Sequence, residues 1–261
     1  MWHGAKVAVI IPAYQEERII LRTLRKLPPY VDHIYVVDDA STDATIDQVA
    51  ACKDPRLTLL RHAQNRGVGA AILTGYQQAL AGGSDLLAVM AADDQMDSEE
   101  LPALLGPVWH GAADYAKGNR FLHPDVVHMP RLRRWGSQLL SVLTRSVTSL
   151  DVDDCQCGYT VLSSLAARGL PLGELWPRYG YPNDLLGMLA AAGCRVADVP
   201  VRPVYADEDS GLRAYHALII MGVIARRWRR SRGSAGKWAG QLSEPTSLAS
   251  SAQSESTVGS R

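Results

Sequence analysis

The chain has 261 residues, 27 of them Lys or Arg and 27 Asp or Glu, so its formal net charge is zero; 47% of it is hydrophobic. That length buries a full core without staples and fits one large domain or two small ones, and overall neutrality argues against a dedicated nucleic-acid binder. No apolar run reaches the roughly 18 residues of a bilayer span. The start carries Lys6 before a short apolar run and an acidic pair directly after it, unlike a secretory signal, which points to the cytoplasm.

Residues 6–12, KVAVIIP, form a continuous apolar run, as expected of a strand covered on both faces. A helical spacing of Ile19, Ile20, Leu24 and Leu27 follows over 16–27 and stops at Pro28-Pro29. Strand 33–39 comes next, then a helix that Ser41 or Thr42 is placed to cap. Strand 57–62, helix 69–80 and strand 85–91 continue the alternation, and Asp97 and Glu100 have capping-box spacing before a helix at Leu101. This pitch predicts an α/β fold, a mostly parallel sheet with helices on both sides. The second half is less regular: strand 114–118, helix 131–146, strand 158–163, helix 184–192, strand 195–201 and helix 212–230. Residues 1–230 thus read as one domain. Residues 231–261 are mostly small and polar and are expected to be a disordered tail. Cys52, Cys155, Cys157 and Cys194 lack C-x-x-C spacing and read as free thiols; the seven histidines show no ligand spacing and read as structural or solvent-facing.

In an open parallel sheet, ligands bind beyond the carboxyl ends of the strands. The first strand ends in Pro12-Ala13-Tyr14-Gln15-Glu16, the second in Asp38-Asp39, the fourth in Asp93-Asp94-Gln95. Each carboxylate also precedes a helix it could cap, but three acidic ends together exceed what capping requires. They suit a hydroxyl- or base-bearing ligand with a divalent cation. Gly67 and Gly69 follow the third strand, and Ile72 stands where a dinucleotide fingerprint needs its third glycine. They are expected to turn the chain sharply or let backbone approach a ligand.

The ordered segments IPAYQEE, VVDDASTD, NRGVGAA, AADDQ, GNRF, MPRLRRWGSQLLS and DCQCGY resemble the inverting nucleotide-sugar glycosyltransferases of the GT-A fold, in the family that includes dolichol-phosphate mannose synthase and bacterial polyprenyl-phosphate sugar transferases. The resemblance spans roughly residues 5–225. It implies that Pro12, Tyr14 and Glu16 border the base and ribose of a GDP- or UDP-linked sugar and that Asp39 contacts the base. Asp93 and Gln95 would hold Mg²⁺ or Mn²⁺ on the donor diphosphate. Arg120 and Arg134, the latter with Arg131 or Arg133, would meet phosphate on the acceptor side, flanked by Asp154 and Gln156. One departure stands out. The family's metal motif is Asp-x-Asp, and Ala91 occupies the first position here, leaving Asp93 as the second.

The expected reaction breaks a sugar–diphosphate bond, and a cation with nearby arginines stabilises the charge that builds on the leaving group. A lipid-phosphate acceptor is already anionic. A hydroxyl acceptor needs a base, for which Asp154 and Asp184 are the candidates. The segment 117–145 has Lys117, Arg120, Arg131, Arg133, Arg134 and Arg145 against Asp125 alone, which suits a phosphate or a solvated basic face. The last helix is apolar over 217–225 and basic from Arg226, a pattern that serves an anionic membrane surface or an ordinary core helix with a basic end. Three readings stay open: transfer to a polyprenyl phosphate, transfer to a hydroxyl acceptor in polysaccharide or natural-product assembly, and, from Ala91, a catalytically weak nucleotide-sugar binder.

Overall fold

The computed structural model describes residues 1–204 and 214–234. The first half alternates as expected: β1 (Val7–Ala13), α1 (Ile20–Arg25), β2 (His33–Asp38), α2 (Thr45–Ala51), β3 (Leu57–Arg61), α3 (Val68–Ala81), β4 (Leu86–Val89) and α4 (Leu101–Trp109). The second half contains β5 (Tyr115–Asn119), α5 (Arg131–Thr148), β6 (Thr160–Ser163), α6 (Ser164–Gly169), α7 (Tyr181–Ala191), β7 (Val196–Pro200) and α8 (Ala214–Ser234). Residues 231–234 belong to α8, and the remainder of the predicted tail lies outside the described residues.

The seven strands form one sheet in the order β3-β2-β1-β4-β6-β5-β7. β1 pairs parallel with β2 and β4, β2 with β3, and β5 with β7. β6 runs antiparallel to both of its neighbours, so the sheet is mixed where the second half departs from the βαβ pitch. The chain moves outward from β1 through β2 to β3 and then returns across β1 to β4. The order reverses between β1 and β4, and a crevice opens at their carboxyl ends.

The continuous apolar runs are explained by burial on both faces. Val7, Val9 and Ile11 of β1 point to a core with Ile20 and Leu24 of α1 and Leu101, Leu104 and Leu105 of α4. Ala8 and Ile10 point the other way, to Ile72 and Tyr76 of α3 and Leu185 and Leu186 of α7. Each fully buried Leu or Ile contributes about 1.5–3 kcal/mol, so the two layers together fix the sheet that carries the site. Among the described residues no helix is long and apolar enough to cross a membrane.

Local signals were redirected in three places. Helix α1 is only six residues long, because the carbonyl of Glu16 accepts from the N–H groups of Ile19 and Ile20 in a turn before it. Ser41 and Thr42 do not cap α2; Ser41 Oγ accepts the N–H of Gln15 at 3.0 Å and Thr42 Oγ1 accepts the Gln15 amide at 2.9 Å, tying the ends of β1 and β2 together. The capping box is half formed. Asp97 accepts the N–H of Glu99 at 3.0 Å, while Glu100 turns away to accept the N–H of Arg202 at 2.8 Å.

Candidate active site

The three acidic strand ends converge. A cleft of about 620 Å³ lies at the switch point, lined by Pro12 at the end of β1, Tyr14 and Glu16 after it, Asp39 after β2, and Ala91 and Asp93 after β4. Each of these three turns holds a non-glycine residue in the left-handed region: Gln15 at φ 62°, Ala40 at φ 65° and Asp94 at φ 58°. Such a residue costs roughly 1–2 kcal/mol relative to the right-handed helical basin. The reversal it makes bends the chain away from the sheet and leaves its neighbours facing the crevice.

Asp39 is nearly enclosed, and its carboxylate organises the cleft floor. Oδ1 accepts the N–H of Arg66 at 2.8 Å, Oδ2 accepts the N–H of Gly67 at 2.7 Å, and Oδ1 lies 2.7 Å from Nδ1 of His62. His62 is itself held, with Nε2 3.0 Å from Thr74 Oγ1. This histidine is a structural brace of the site, a specific role that spacing alone did not assign. A carboxylate has about four acceptor positions, so Asp39 both fixes the loop at 65–67 and retains a share of its capacity toward the cleft.

Of the two roles expected of the glycines, a sharp turn or a close backbone approach, the approach made here is to the protein itself. Gly67 does line the cleft, but its φ is 97°, and a Cβ added there would lie 2.5 Å from the Pro177 carbonyl, so it accommodates protein. Gly69 lies outside the cleft lining, and a Cβ there would meet the Trp176 carbonyl at 2.2 Å. Together they form a notch for the segment at 176–178, closed by a bond from the Ala70 N–H to the Pro177 carbonyl at 3.1 Å. Trp176, Arg178 and Tyr179, with Asn65 and Ile219, complete the cleft wall. Sequence reasoning reached Asn65, in the NRGVGAA segment after the third strand, and missed the other four. The run WPRYGY, three aromatics and an arginine among Pro and Gly leading into a helix, is the signal that could have pointed to Trp176, Arg178 and Tyr179.

A second, small pocket of about 50 Å³ is lined by Gln95, Arg120, Tyr159 and Arg202 among apolar neighbours such as Met96 and Val201. Asp93 lines both cavities, so it stands at their junction. Its Oδ1 also accepts the N–H of Gln95 at 3.1 Å. Asp94 cannot stand in for the missing acid at Ala91, because it is paired with Arg22 at 2.6 Å and Lys26 at 2.8 Å on the other side of the turn. Among the described residues no three His, Cys, Asp or Glu side chains converge into a closed metal site. The oxygens that Asp93 and Gln95 offer fit a hard cation that takes its remaining ligands from substrate phosphates and water.

Asp154 lines neither cavity. It is wholly buried and accepts a fork from Arg120, Nε at 2.7 Å and Nη2 at 3.0 Å, plus the Arg120 N–H at 3.1 Å. Burial alone would raise its carboxyl, but the Arg120 guanidinium, with Lys117 nearby, outweighs this and holds it below the usual range. A buried, ion-paired acid with depressed pKa is a poor proton acceptor, so it positions Arg120. Asp184 is likewise buried and paired with Arg227 at 2.8 and 2.9 Å, and it accepts the N–H of Trp176 at 2.9 Å. It braces the cleft wall. Gln156 donates to Asn183 at 2.9 Å and to Cys155 Sγ at 3.2 Å, and Arg134 stands on the first turn of α5; neither lines either cavity. The basic segment also divides: Lys117 is buried against the Cys157 carbonyl, and Arg145 pairs with Asp153 at 2.6 Å.

The model of glycosyl transferase family 2 matches residues 8–167, from β1 through β6, and so includes the strand-end residues Asp39 and Asp93 and also Arg120. The chain belongs to that family. This glycosyltransferase is 30% identical to the undecaprenyl-phosphate mannosyltransferase of Micrococcus luteus, over 90% of its own length and 97% of the relative's. It is 26% identical to the UDP-N-acetylglucosamine–dolichyl-phosphate N-acetylglucosaminyltransferase of Methanococcus voltae, over 77% and 86% of the two chains. Among solved structures, glucosyl-3-phosphoglycerate synthase from Mycobacterium tuberculosis, in complex with Mn²⁺, UDP and glucosyl-3-phosphoglycerate, superposes with a TM-score of 0.66 at 19% identity, covering 87% and 81%. That likeness carries the GT-A fold of this glycosyltransferase.

Proposed function

We propose that this glycosyltransferase moves a sugar from a nucleoside diphosphate to a polyprenyl phosphate, with inversion and with help from Mg²⁺ or Mn²⁺. The observation that carries the reading is the position of Asp93, between a cleft large enough for a nucleotide sugar and a small pocket that presents Arg120. Names of the relatives, one a mannosyltransferase to undecaprenyl phosphate and one an N-acetylglucosaminyltransferase to dolichyl phosphate, support the acceptor class and leave the sugar and base open.

In this account Pro12, Tyr14, Glu16 and Asp39 receive the nucleoside, and Asp93 faces the diphosphate. A divalent cation held by Asp93 and Gln95 supplies countercharge to the leaving group when bound. Arg120, aimed by Asp154, holds the acceptor phosphate by the paired donors of its guanidinium. An acceptor phosphate oxygen forms the bond to the anomeric carbon from the face opposite the diphosphate. The anomeric C–O bond breaks, and its electron pair leaves on the nucleoside diphosphate. A phosphate monoester, with second pKa about 6, attacks without a general base. The consumption of both expected bases, Asp154 and Asp184, in buried ion pairs therefore favours phosphate over a hydroxyl acceptor. The lipid tail of such an acceptor places the reaction at a membrane surface, on the cytoplasmic side.

The test is incubation with a panel of GDP- and UDP-sugars, Mg²⁺ or Mn²⁺, and polyprenyl phosphate. A lipid-linked product of inverted anomeric configuration is expected. Turnover only with a hydroxyl acceptor, or nucleotide binding with no turnover that Ala91→Asp does not restore, overturns the proposal.

A further inference from the structure

The turn that follows β4 is tied to helix α1 at its start, at its tip and just past its end. Thr23, buried on α1, donates its hydroxyl to the Ala92 carbonyl at 2.9 Å. At the tip, Asp94 Oδ2 accepts from Nε of Arg22 at 2.6 Å, and Nζ of Lys26 donates to both carboxylate oxygens at 2.8 Å. Ser98 then donates its hydroxyl to the Lys26 carbonyl at 2.6 Å. Arg22 and Lys26 lie four residues apart and so share one face of the helix. The helix is itself fixed, because Ile20 and Leu24 sit in the core.

The tip has two features that an ordinary surface ion pair lacks. The Asp94 side chain is only 8% exposed, whereas those of Arg22 and Lys26 are 61% and 51% exposed, so two solvent-facing cations close over an enclosed carboxylate. The Asp94 backbone also stands in the left-handed region, at φ 58°. Glycine makes that reversal with less strain, so the aspartate side chain contributes something that chain reversal alone does not need. What it faces shows its use. Asp93 lines both the donor cleft and the pocket of Arg120, while Asp94, Arg22 and Lys26 line neither. The reversal therefore turns Asp93 to the cavities and Asp94 to α1. Gln95 follows through the same tip, its N–H bonded to Asp93 Oδ1 at 3.1 Å. Ala91 supplies no carboxylate at the first position of the motif. A cation at this turn then has few protein oxygens to hold it, and its affinity depends on how firmly they are aimed. Side chains that orient metal ligands from behind are worth about 10–100-fold in metal affinity.

We propose that Asp94 is a positioning residue: gripped by Arg22 and Lys26, it locks the turn that aims Asp93 and Gln95 at a divalent cation. This deepens the proposed function and rests on the metal role given there to Asp93.

The test is calorimetric titration of GDP and UDP, with and without Mn²⁺, on native protein, on Asp94→Gly and on the double variant Arg22→Gln, Lys26→Gln, each with a melting curve. Asp94→Gly keeps the left-handed turn and removes the grip; the double variant keeps Asp94 and removes its partners. Mn²⁺ should raise native affinity about tenfold and the affinity of either variant by about twofold or less. Metal-free affinity should be native in all three. A residue that merely fastens α1 behaves otherwise: Asp94→Gly melts higher through relief of its backbone and keeps the whole Mn²⁺ increment, and that result overturns the proposal. A double variant that keeps the increment overturns it as well. Asp93→Ala separates this failure from that of the proposed function. If Asp93→Ala loses the increment and Asp94→Gly keeps it, the metal role stands and the positioning role falls; if native protein shows no increment, both fall. Loss of the increment in Asp94→Gly, with no turnover on any polyprenyl phosphate, supports the positioning role and defeats the acceptor reading alone.

Discussion

The guanidinium of Arg120 grips the carboxylate of Asp154 through two parallel hydrogen bonds, 2.7 and 3.0 Å long, on the inner side of the pocket that Asp93 shares with the donor cleft. Asp154 is shut away from that pocket and fixes the direction of the arginine. Asp154→Ala strands a buried charge, which costs about 3–5 kcal/mol. We expect a lowered melting temperature and a large loss of kcat, with affinity for nucleoside diphosphate unchanged because the donor cleft is untouched. Calorimetric titration beside steady-state rates checks the split.

The same pair has a defined pH signature. The folded pKa of Asp154 lies below its unfolded value, so its stabilisation is complete above about pH 4 and fades as pH falls through the folded value. Asp198 has the opposite sign. Burial raises its carboxyl against the bonds it accepts from Asp153 and Asn119. The unfolded chain releases that proton first, so stability falls as pH rises from the unfolded to the folded value. Asp198→Asn should remove this slope, and melting curves between the unfolded carboxylate value and neutrality check it.

Gly67→Ala and Gly69→Ala should each destabilise the fold, because the added methyl meets the Pro177 or Trp176 carbonyl and Gly67 also requires positive φ. About 1–3 kcal/mol is expected. Both should weaken nucleotide binding as well, since the displaced segment carries Trp176, Arg178 and Tyr179 of the cleft wall. Thermal melting with and without nucleoside diphosphate measures both effects.

Ala40→Gly should do the reverse. Ala40 sits at φ 65° beyond β2, and glycine relieves roughly 1 kcal/mol of left-handed strain. The melting temperature should rise by a few degrees, with kcat/KM held near the native value as long as Asp39 keeps its bonds to the loop at 65–67.

Apolar runs and acidic strand ends made the first half of the fold and the place of the site legible, because burial on two faces and the switch point leave direct marks in a sequence. What escaped was long-range. Nothing near Gly69 announces that Trp176 packs on it, and nothing near Asp154 or Asp184 announces Arg120 or Arg227 as partner, so the choice between base and brace could not be read from the sequence. Ser41 and Thr42 had the chemistry of caps, but bonding to Gln15 across two strand ends took precedence. On α5 the helix itself was visible, while the inward turn of Ser141 and Thr144 was decided by Cys155 and Asn183.

The central claim is that Asp93 couples the donor cleft to the acceptor pocket through a divalent cation. Calorimetric titration of nucleoside diphosphate, with and without Mn²⁺, on native protein and on Asp93→Ala tests it most directly. Native affinity should rise about tenfold with the cation, as for a charge held by one carboxylate and substrate phosphates. Asp93→Ala should lose that increment and all turnover while keeping the metal-free affinity. An Asp93→Ala protein that retains the Mn²⁺ increment and its turnover contradicts the account.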